Sequence, residues 1–234
     1  MPDWTVLVPL KRLSAAKSRL HPPTMTVPRE SLALAFALDT LHAAANCPAV
    51  GRVVAVTADP AVREAVAGAG LDAVDEGPRP GLNEAIRHAA ARLRAADPAA
   101  PLAAMTGDLP ALKPGELAEA LARAARLPRS FVPDAAGTGT VLLAANTGSE
   151  LDPSFGPGSA RAHRASGATP LDGLWPSLRR DVDTRADLAA AGSLGVGRHT
   201  LVLLLRARRC NVGHHAGHRG HVRPPNPYRD RLPR

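Results

Sequence analysis

Short apolar runs alternate along this chain with longer stretches in which apolar residues recur at helical spacing. Residues 5–8 form a β-branched run, which predicts a buried strand close to the start of the chain. Helical spacing over residues 29–45, entered from Pro28, predicts a long helix, and residues 52–57 predict a second strand. Strands that alternate with helices in this way are typical of a parallel sheet covered by helices on both faces.

The same alternation continues to about residue 200. Asp59 precedes Pro60 and predicts the capped start of a short helix. Additional strands are predicted at residues 73–75, 101–104, 130–133 and 141–145, and additional helices are predicted to begin near Pro80, Lys113, Ser159 and Thr184. A further strand is predicted to end at residues 181–183. The fold class predicted from this pattern is α/β, with one domain over residues 1–205.

The chain changes character beyond Leu205, where apolar periodicity ends and Arg, His, Pro and Gly dominate. The net charge is +8, and residues 206–234 contain eight Arg and one Asp, so that residues 1–205 are nearly neutral. A segment of this composition buries too little apolar surface to offset the entropy of ordering, which predicts a disordered basic tail. The tail also contains His and Cys residues that could bind zinc. We interpret them as incidental composition, because their spacing does not define a ligand geometry. These residues are Cys210, His214, His215, His218 and His221.

Composition narrows the classes of function. The chain has one Tyr, two Trp and three Phe, which disfavours base stacking on aromatic platforms and so disfavours a nucleic-acid partner. A nucleic-acid-binding protein driven by the basic tail is the non-enzyme alternative. Cys47 and Cys210 cannot form a disulfide framework, and no signal-like segment or long apolar run is present. We therefore expect a cytoplasmic protein that has no membrane partner.

The strongest candidate for chemistry is Asp108, in the segment Met-Thr-Gly-Asp-Leu-Pro that follows a predicted strand. In an open parallel sheet the carboxyl ends of the strands line the ligand crevice. A carboxylate there suits a divalent metal ion that carries a nucleoside triphosphate, and Gly107 allows the backbone to approach a phosphate. The alternative is that Asp108 only caps the helix that follows.

Four cations follow the first predicted strand, namely Lys11, Arg12, Lys17 and Arg19. Their position would place positive charge on the crevice where a triphosphate lies, and charge-assisted hydrogen bonds to phosphate are strong. The alternative is a solvated basic loop.

Three later segments carry candidate binding residues. Gly81 and Asn83 open a helix, where free N–H groups and a side-chain amide could contact a base or ribose, or could simply cap the helix. The Gly-Thr-Gly-Thr segment that ends at Thr140 could bind a small anion or form a hairpin turn. Ser159 follows a Gly-Pro-Gly segment and could cap a helix that binds phosphate. We expect His163, on that helix, to be a surface residue.

Asp181 and Asp183 are separated by one residue at the end of a predicted strand, so that their side chains point to the same side. One of them could join Asp108 on a metal ion. The alternative is that Asp183 is only the cap of the helix that follows.

Taken together and in order, these motifs resemble one family, the phosphoenolpyruvate or 2-phospho-L-lactate guanylyltransferases of coenzyme F-420 biosynthesis. The resemblance covers residues 5 to about 200 and rests on six motifs. They are Pro9-Leu10-Lys11-x-Leu13-x-x-Ala16-Lys17-Ser18-Arg19-Leu20, Pro80-Gly81-Leu82-Asn83, Thr106-Gly107-Asp108-Leu109-Pro110, Gly137-Thr138-Gly139-Thr140, Phe155-Gly156-Pro157-Gly158-Ser159 and Asp181-Val182-Asp183-Thr184. The resemblance implies a three-layer α/β/α, Rossmann-like nucleotidyltransferase fold with a mostly parallel sheet.

The resemblance also implies roles for single residues. Mg²⁺ would be held by Asp108 and Asp181, with Asp183 as the close competitor of Asp181. Phosphoenolpyruvate would be held by Thr140, Gly156 and Ser159. The nucleotide would be bound by Lys11, Lys17, Gly81 and Asn83, and Lys17 and Arg19 would assist Asp108 in catalysis.

The implied reaction condenses GTP with phosphoenolpyruvate to give enolpyruvoyl-2-diphospho-5'-guanosine and pyrophosphate, and a downstream transferase would consume the product. 2-Phospho-L-lactate is the alternative acceptor, and a nucleotidyltransferase for molybdopterin or a sugar phosphate is the other alternative. Residues 10–20 contain no glycine, whereas those wider relatives carry a glycine-rich loop after the first strand, so the guanylyltransferases are favoured. The sequence leaves the oligomeric state open.

Overall fold

Strands β1 (Trp4–Pro9) and β4 (Leu102–Met105) lie side by side in the middle of a seven-stranded sheet. The computed structural model describes residues 3–15 and 27–215. The order across the sheet is β3-β2-β1-β4-β6-β5-β7. The other strands are β2 (Val50–Val56), β3 (Asp72–Val74), β5 (Arg129–Pro133), β6 (Thr140–Ala145) and β7 (Thr169–Pro170).

Strand β6 is the antiparallel member of this sheet. It pairs antiparallel with both β4 and β5, whereas the other four strand pairs are parallel. The β5–β6 connection is a hairpin, so the hairpin interpretation of the Gly-Thr segment is confirmed as its local geometry. The prediction of a mostly parallel sheet is confirmed.

Seven α-helices accompany the sheet within the described ranges. They are α1 (Arg29–Ala45), α2 (Pro60–Gly68), α3 (Leu82–Ala96), α4 (Pro114–Ala124), α5 (Ser159–Ala165), α6 (Arg185–Leu194) and α7 (Arg198–His215), and residues Leu13–Ala15 form a 3-10 turn. The cap predicted at Asp59 and the helix start predicted at Thr184 are confirmed. The Asp59 carboxylate accepts a hydrogen bond from the N–H of Ala61, and Thr184 forms a capping box with Asp187.

Alternation along β1 divides the core into two layers. Val6 and Val8 pack with α1, α2 and α4 on one face of the sheet. Leu7 packs with α3 and α5 on the other face. Because successive side chains of a strand point to opposite faces, a run that is apolar throughout requires helices on both sides. The three-layer α/β/α prediction is confirmed.

Helices α6 and α7 form a smaller third cluster on the outer side of α1, around Leu32, Phe36 and Val182. The buried Asp39 carboxylate on α1 accepts hydrogen bonds from the N–H groups of His199 and Thr200, both at 2.9 Å. These bonds satisfy two amides in the first turn of α7. Among the described residues no single helix is long and apolar enough to cross a bilayer, and one pair, α6 with the first part of α7, meets that test only across a bend of 118°.

Three features differ from the sequence-based expectation. Residues 178–183 form turns and irregular backbone, so the strand predicted to end there is wrong. Strand β7 and helix α7 were not predicted. Helix α7 continues past Leu205 to His215, whereas the tail was predicted to begin at residue 206; residues 216–234 lie outside the described part of the chain.

Candidate active site

A cleft of about 740 Å³ opens at the edge of the sheet where β1, β4 and β5 end. Because β6 runs antiparallel, its first residue, Thr140, lies at the same edge. The segments that follow these strands contribute Lys11, Asp108 and Asp134 to the wall of the cleft. The cleft therefore lies where an open α/β sheet places its ligands.

Asp108 is held in position by the backbone on both sides of it. The N–H of Thr106 donates to the carbonyl of Val141 at 2.9 Å, and the N–H of Leu109 donates to the buried Thr40 hydroxyl at 3.0 Å. A Cβ at Gly107 would lie 2.3 Å from Leu10 Cδ2, so that only glycine fits without displacement. Lys113, and not Asp108, is the N-cap residue of helix α4, which excludes the capping alternative for Asp108.

Asp181 reaches the same cleft through a backbone contact. The N–H of Val182 donates to the carbonyl of Asp108 at 3.0 Å, and the Val182 side chain is buried in the cluster that packs against α1. Asp181 and Asp183 both line the cleft. Thr184 is the N-cap residue of helix α6, so Asp183 is not its cap.

The electrostatics of this acidic end of the cleft are unusual. Burial, followed by the nearby charges of Asp108 and Asp183, raises the pKa of Asp181 to about 6. Asp134 contributes a smaller effect of the same sign. Within residues 3–15 and 27–215 no three His, Cys, Asp or Glu side chains form a ready-made metal site. The acidic end is therefore a set of mutually repelling carboxylates that requires further ligands to hold a cation.

The three residues expected to hold a phospho-acid all line this cleft, namely Thr140, Gly156 and Ser159. The backbone of residues 156–158 is left-handed at Gly156 and Gly158, with φ of 132° and 73°. The N–H of Ala160 donates to the carbonyl of Thr138 at 3.1 Å and joins this segment to the β5–β6 hairpin. Gly158 is the N-cap residue of α5 and no side-chain cap bond is made, so the expected capping role of the Ser159 hydroxyl is wrong.

Of the four cations that follow β1, Lys11 and Arg12 lie within the described residues. Lys11 is exposed at the wall of the cleft. Lys17 and Arg19, expected to act with Asp108, lie outside the described residues. The backbone just beyond Lys11 is anchored because the N–H of Leu13 donates to Asp59 Oδ2 at 2.9 Å. That hydrogen bond also lowers the pKa of Asp59 below its usual value.

Gly81 and Asn83, the pair expected to face guanosine, lie at the start of α3. Gly81 is the N-cap residue of α3 with φ of 113°, and its neighbour Leu82 lines the cleft. The Asn83 amide group donates to the carbonyl of Phe155 at 3.0 Å and accepts from its N–H at 2.8 Å. Asn83 therefore clamps the segment that carries Gly156, and it is not among the residues that line the cleft.

Asp134, which begins the hairpin turn, was not singled out from the sequence. Its carboxylate accepts from the N–H of Thr138 at 2.9 Å, and it lines the cleft. The guanidinium of Arg179 donates to the carbonyls of Pro133 and Asp134. The sequence did contain a signal for Asp134: it precedes a Gly-Thr turn, and Asp side chains commonly bond the backbone of the turn they begin.

The expectation that His163 is a surface residue is wrong, because its side chain is fully buried. Its Nδ1 lies 2.9 Å from Thr140 Oγ1, and its Nε2 accepts from the N–H of Ser154 at 2.9 Å. Burial lowers the pKa of His163 to about 4, with a further contribution from the Arg129 charge. Helix α5 has only seven residues, too few for an apolar pattern to show that this ring faces inward.

Proteins of known family are similar to this chain over most of its length. A profile of the family described as "Guanylyl transferase CofC like" matches residues 4–219. The chain is 54% identical over 202 residues to a protein of Salinispora arenicola named phosphoenolpyruvate guanylyltransferase, with 86% of this chain and 92% of that protein covered. A protein of the same name from Streptomyces scabiei is 51% identical over 209 residues, covering 87% of this chain and 97% of its own length.

Solved structures support the fold. A nucleotidyl transferase from Methanothermobacter superposes with a TM-score of 0.56 at 19% identity, over 82% of this chain and 97% of that one. A 4-diphosphocytidyl-2C-methyl-D-erythritol synthase superposes with a TM-score of 0.55 at 12% identity, over 83% and 99%. At these identities the likeness concerns the fold alone.

Proposed function

The chain belongs to the CofC-like guanylyl transferase family, and from that premise we propose that it transfers the guanylyl group of GTP to phosphoenolpyruvate. The products would be enolpyruvoyl-2-diphospho-5'-guanosine and pyrophosphate. The observation that carries this proposal is a single cleft, lined by Asp108 and Asp181 as well as by Thr140 and Ser159. One cavity thus offers carboxylates for a metal–triphosphate and hydroxyl groups for a phospho-acid.

Mg²⁺ is the cation we propose for the acidic end, held by Asp108 and Asp181, with Asp183 as the alternative to Asp181. Mg²⁺ is usually held by one or two carboxylates together with substrate phosphates and water, and the cleft offers Asp108 and Asp181 for this role. Burial and then the charges of Asp108 and Asp183 raise the pKa of Asp181, and a bound cation would favour its ionised form. When bound, the ion would offset negative charge on the phosphates as the reaction proceeds.

The chain's own residues would mainly bind and orient the two substrates. Thr140, Gly156 and Ser159 would hold the phospho-acid by hydroxyl and backbone groups. A phosphate oxygen of the acceptor would form a bond to the α-phosphorus of GTP while the bond from that phosphorus to the β-phosphate oxygen breaks, and pyrophosphate leaves with that electron pair. The acceptor phosphate is ionised at neutral pH, so no side chain has to remove a proton.

Positive charge for the triphosphate would come from the segment after β1. Lys11 lies at the wall of the cleft, which supports its proposed role in nucleotide binding. Lys17 and Arg19 are proposed for the same triphosphate, and Gly81 and Asn83 for guanosine, on the family resemblance alone. We place the reaction in the cytoplasm, where GTP and phosphoenolpyruvate are made, and a downstream transferase would consume the product for coenzyme F-420.

Pyrophosphate release from GTP and Mg²⁺ tests this proposal, with phosphoenolpyruvate, 2-phospho-L-lactate or no acceptor in parallel arms. We expect release with phosphoenolpyruvate and little without an acceptor. Replacement of GTP by CTP tests the base, and mass spectrometry of the product identifies the new diphosphate bond. Release with 2-phospho-L-lactate alone would correct the acceptor, and the absence of release from every arm, including one with the downstream transferase added, would contradict the proposal.

A further inference from the structure

His163 joins two segments of the cleft wall from behind. It lies on α5, and its ring bonds Thr140 at the start of β6 and Ser154 in the segment that leads to Gly156. Thr140 lines the cleft, whereas His163 does not. Because the buried imidazole bonds both segments, it can set the orientation of the Thr140 hydroxyl at the cleft.

The two hydrogen bonds define the tautomer of this ring. The backbone N–H of Ser154 can only donate, so Nε2 of His163 must accept and carries no hydrogen. A neutral imidazole has one N–H, which is therefore on Nδ1. That N–H points at Thr140 Oγ1, 2.9 Å away, and the threonine oxygen is the acceptor.

This arrangement has a consequence for Thr140. Because its oxygen accepts from His163, the hydroxyl hydrogen is left to donate elsewhere. In the described part of the chain, the bond to His163 is the one found for this hydroxyl group, and the residue borders the cleft. Its O–H is thereby directed to a partner other than His163, and a ligand in the cleft that Thr140 borders is a candidate.

We propose that His163 is a positioning residue that makes the Thr140 hydroxyl a hydrogen-bond donor to the anionic oxygens of the phospho-acid. The inference rests on the proposed function, since it concerns how that acceptor is held. A phosphate or carboxylate oxygen only accepts hydrogen bonds at neutral pH, so a threonine whose hydrogen is directed elsewhere would repel it. The hydrogen bond from His163 prevents the Thr140 O–H from donating to the ring, before the substrate binds.

The surroundings of the ring keep it neutral. Phe131 and Phe155 pack against it, with ring centroids 5.8 and 5.3 Å away. Its charged neighbours are Arg129 on β5, which lowers the pKa, and Asp152, which raises it less. Asp152 in turn pairs with Arg129 at 3.6 Å. A pKa near 4 leaves the ring uncharged, and its single N–H in place, throughout the neutral range.

Nitrogen NMR of the full chain labelled at histidine tests the tautomer without any substrate. We expect one histidine, identified by its loss in His163→Gln, to show a protonated Nδ1 and an unprotonated Nε2 from pH 8 down to about pH 5. A protonated Nε2, or a ring that titrates near pH 6.5, would overturn the inference.

A matched pair of variants tests the role in binding. The amide nitrogen of His163→Asn takes the place of Nδ1 and can still donate to Thr140, whereas the amide oxygen of His163→Gln takes the place of Nε2 and leaves Thr140 undirected. We expect the Gln variant to raise KM for phosphoenolpyruvate about tenfold, with KM for GTP changed less than about twofold, and the Asn variant to recover most of that loss.

A double-mutant cycle with Thr140→Val separates positioning from general damage to the fold. In the valine background His163→Gln should add no further increase in KM for phosphoenolpyruvate, because no hydroxyl remains to be directed. A further tenfold increase there, or an equal rise in KM for GTP, would overturn the inference while leaving guanylyl transfer intact. A wild-type chain that transfers to no phospho-acid would instead contradict the proposed function, and with it the role of Thr140 toward that acceptor.

Discussion

The backbone N–H of Val182 donates to the carbonyl of Asp108 at 3.0 Å, and this bond brings two distant acidic segments to one cleft. Asp108 follows a central strand, whereas Asp181 precedes helix α6 on irregular backbone. The packing of the buried Val182 side chain against α1 holds the second segment in place. Burial of Asp181, followed by the nearby charges of Asp108 and Asp183, raises its pKa to about 6.

Replacement of Asp108 by Asn should leave a folded protein with turnover reduced about 100-fold or more, because a proposed metal ligand loses its charge. The measurement is pyrophosphate release together with thermal unfolding. Asp172→Asn is the matched control, since Asp172 is exposed and outside the cleft. Equal activity of the two variants would contradict the role of Asp108.

Thr40→Val should lower the free energy of unfolding by about 1–3 kcal/mol, because the buried N–H of Leu109 loses its acceptor. The same change should reduce turnover, since that amide fixes the backbone next to Asp108. Thr40→Ser retains the hydroxyl group and serves as the control in urea denaturation. Identical stability of the valine and serine variants would show that this hydrogen bond does not support the loop.

Gly107→Ala should reduce both stability and turnover, because its Cβ would lie 2.3 Å from Leu10 Cδ2 and 3.2 Å from Val8 Cγ1. We expect a loss of about 1–3 kcal/mol from the displaced packing. Gly115→Ala, inside helix α4 with nothing within 4 Å of the new Cβ, is the control and should be neutral or stabilising by about 0.5–1 kcal/mol. Denaturation midpoints of the two variants compare these outcomes directly.

Asn83→Ala distinguishes a clamp from a guanosine ligand. If the Asn83 amide serves mainly to hold Phe155, the variant should lose about 1–3 kcal/mol of stability and raise KM for phosphoenolpyruvate, because the Gly156 segment loosens. Selectivity for GTP over CTP should then be unchanged. Steady-state kinetics with both nucleotides make the measurement, and a loss of base selectivity alone would favour the guanosine contact.

Stability should fall with acidification through His163. Above about pH 6.5 the ring is neutral in both the folded and unfolded chain and contributes nothing to the pH dependence. Between that pH and its folded pKa of about 4 the unfolded chain binds a proton that the folded chain does not, so the free energy of unfolding falls, by about 3 kcal/mol in all. Urea denaturation from pH 7.5 to 4.5 should show this slope in the wild type and a shallower one in His163→Gln.

The sequence alone determined the elements whose signals are local. The apolar run at residues 5–8 became β1 because every position faces one of two helical layers. Asp59 became a cap because a cap bonds the next turn of its own helix, and a helix begins at Thr184 as predicted. The order of the six motifs along the chain also indicated the guanylyltransferase family, and the family profile match confirms that prediction.

Only the tertiary structure decided which side chains share a cavity and which are buried. The hydrogen bonds of Asn83 to the Phe155 backbone were not predicted, and His163 was expected at the surface and instead lies behind Thr140. The predicted strand before Asp183 proved irregular, yet that aspartate still reached the cleft. Periodicity and caps depend on neighbours a few residues away, whereas burial, tautomer and pKa depend on contacts between segments far apart in the chain, which no local pattern encodes.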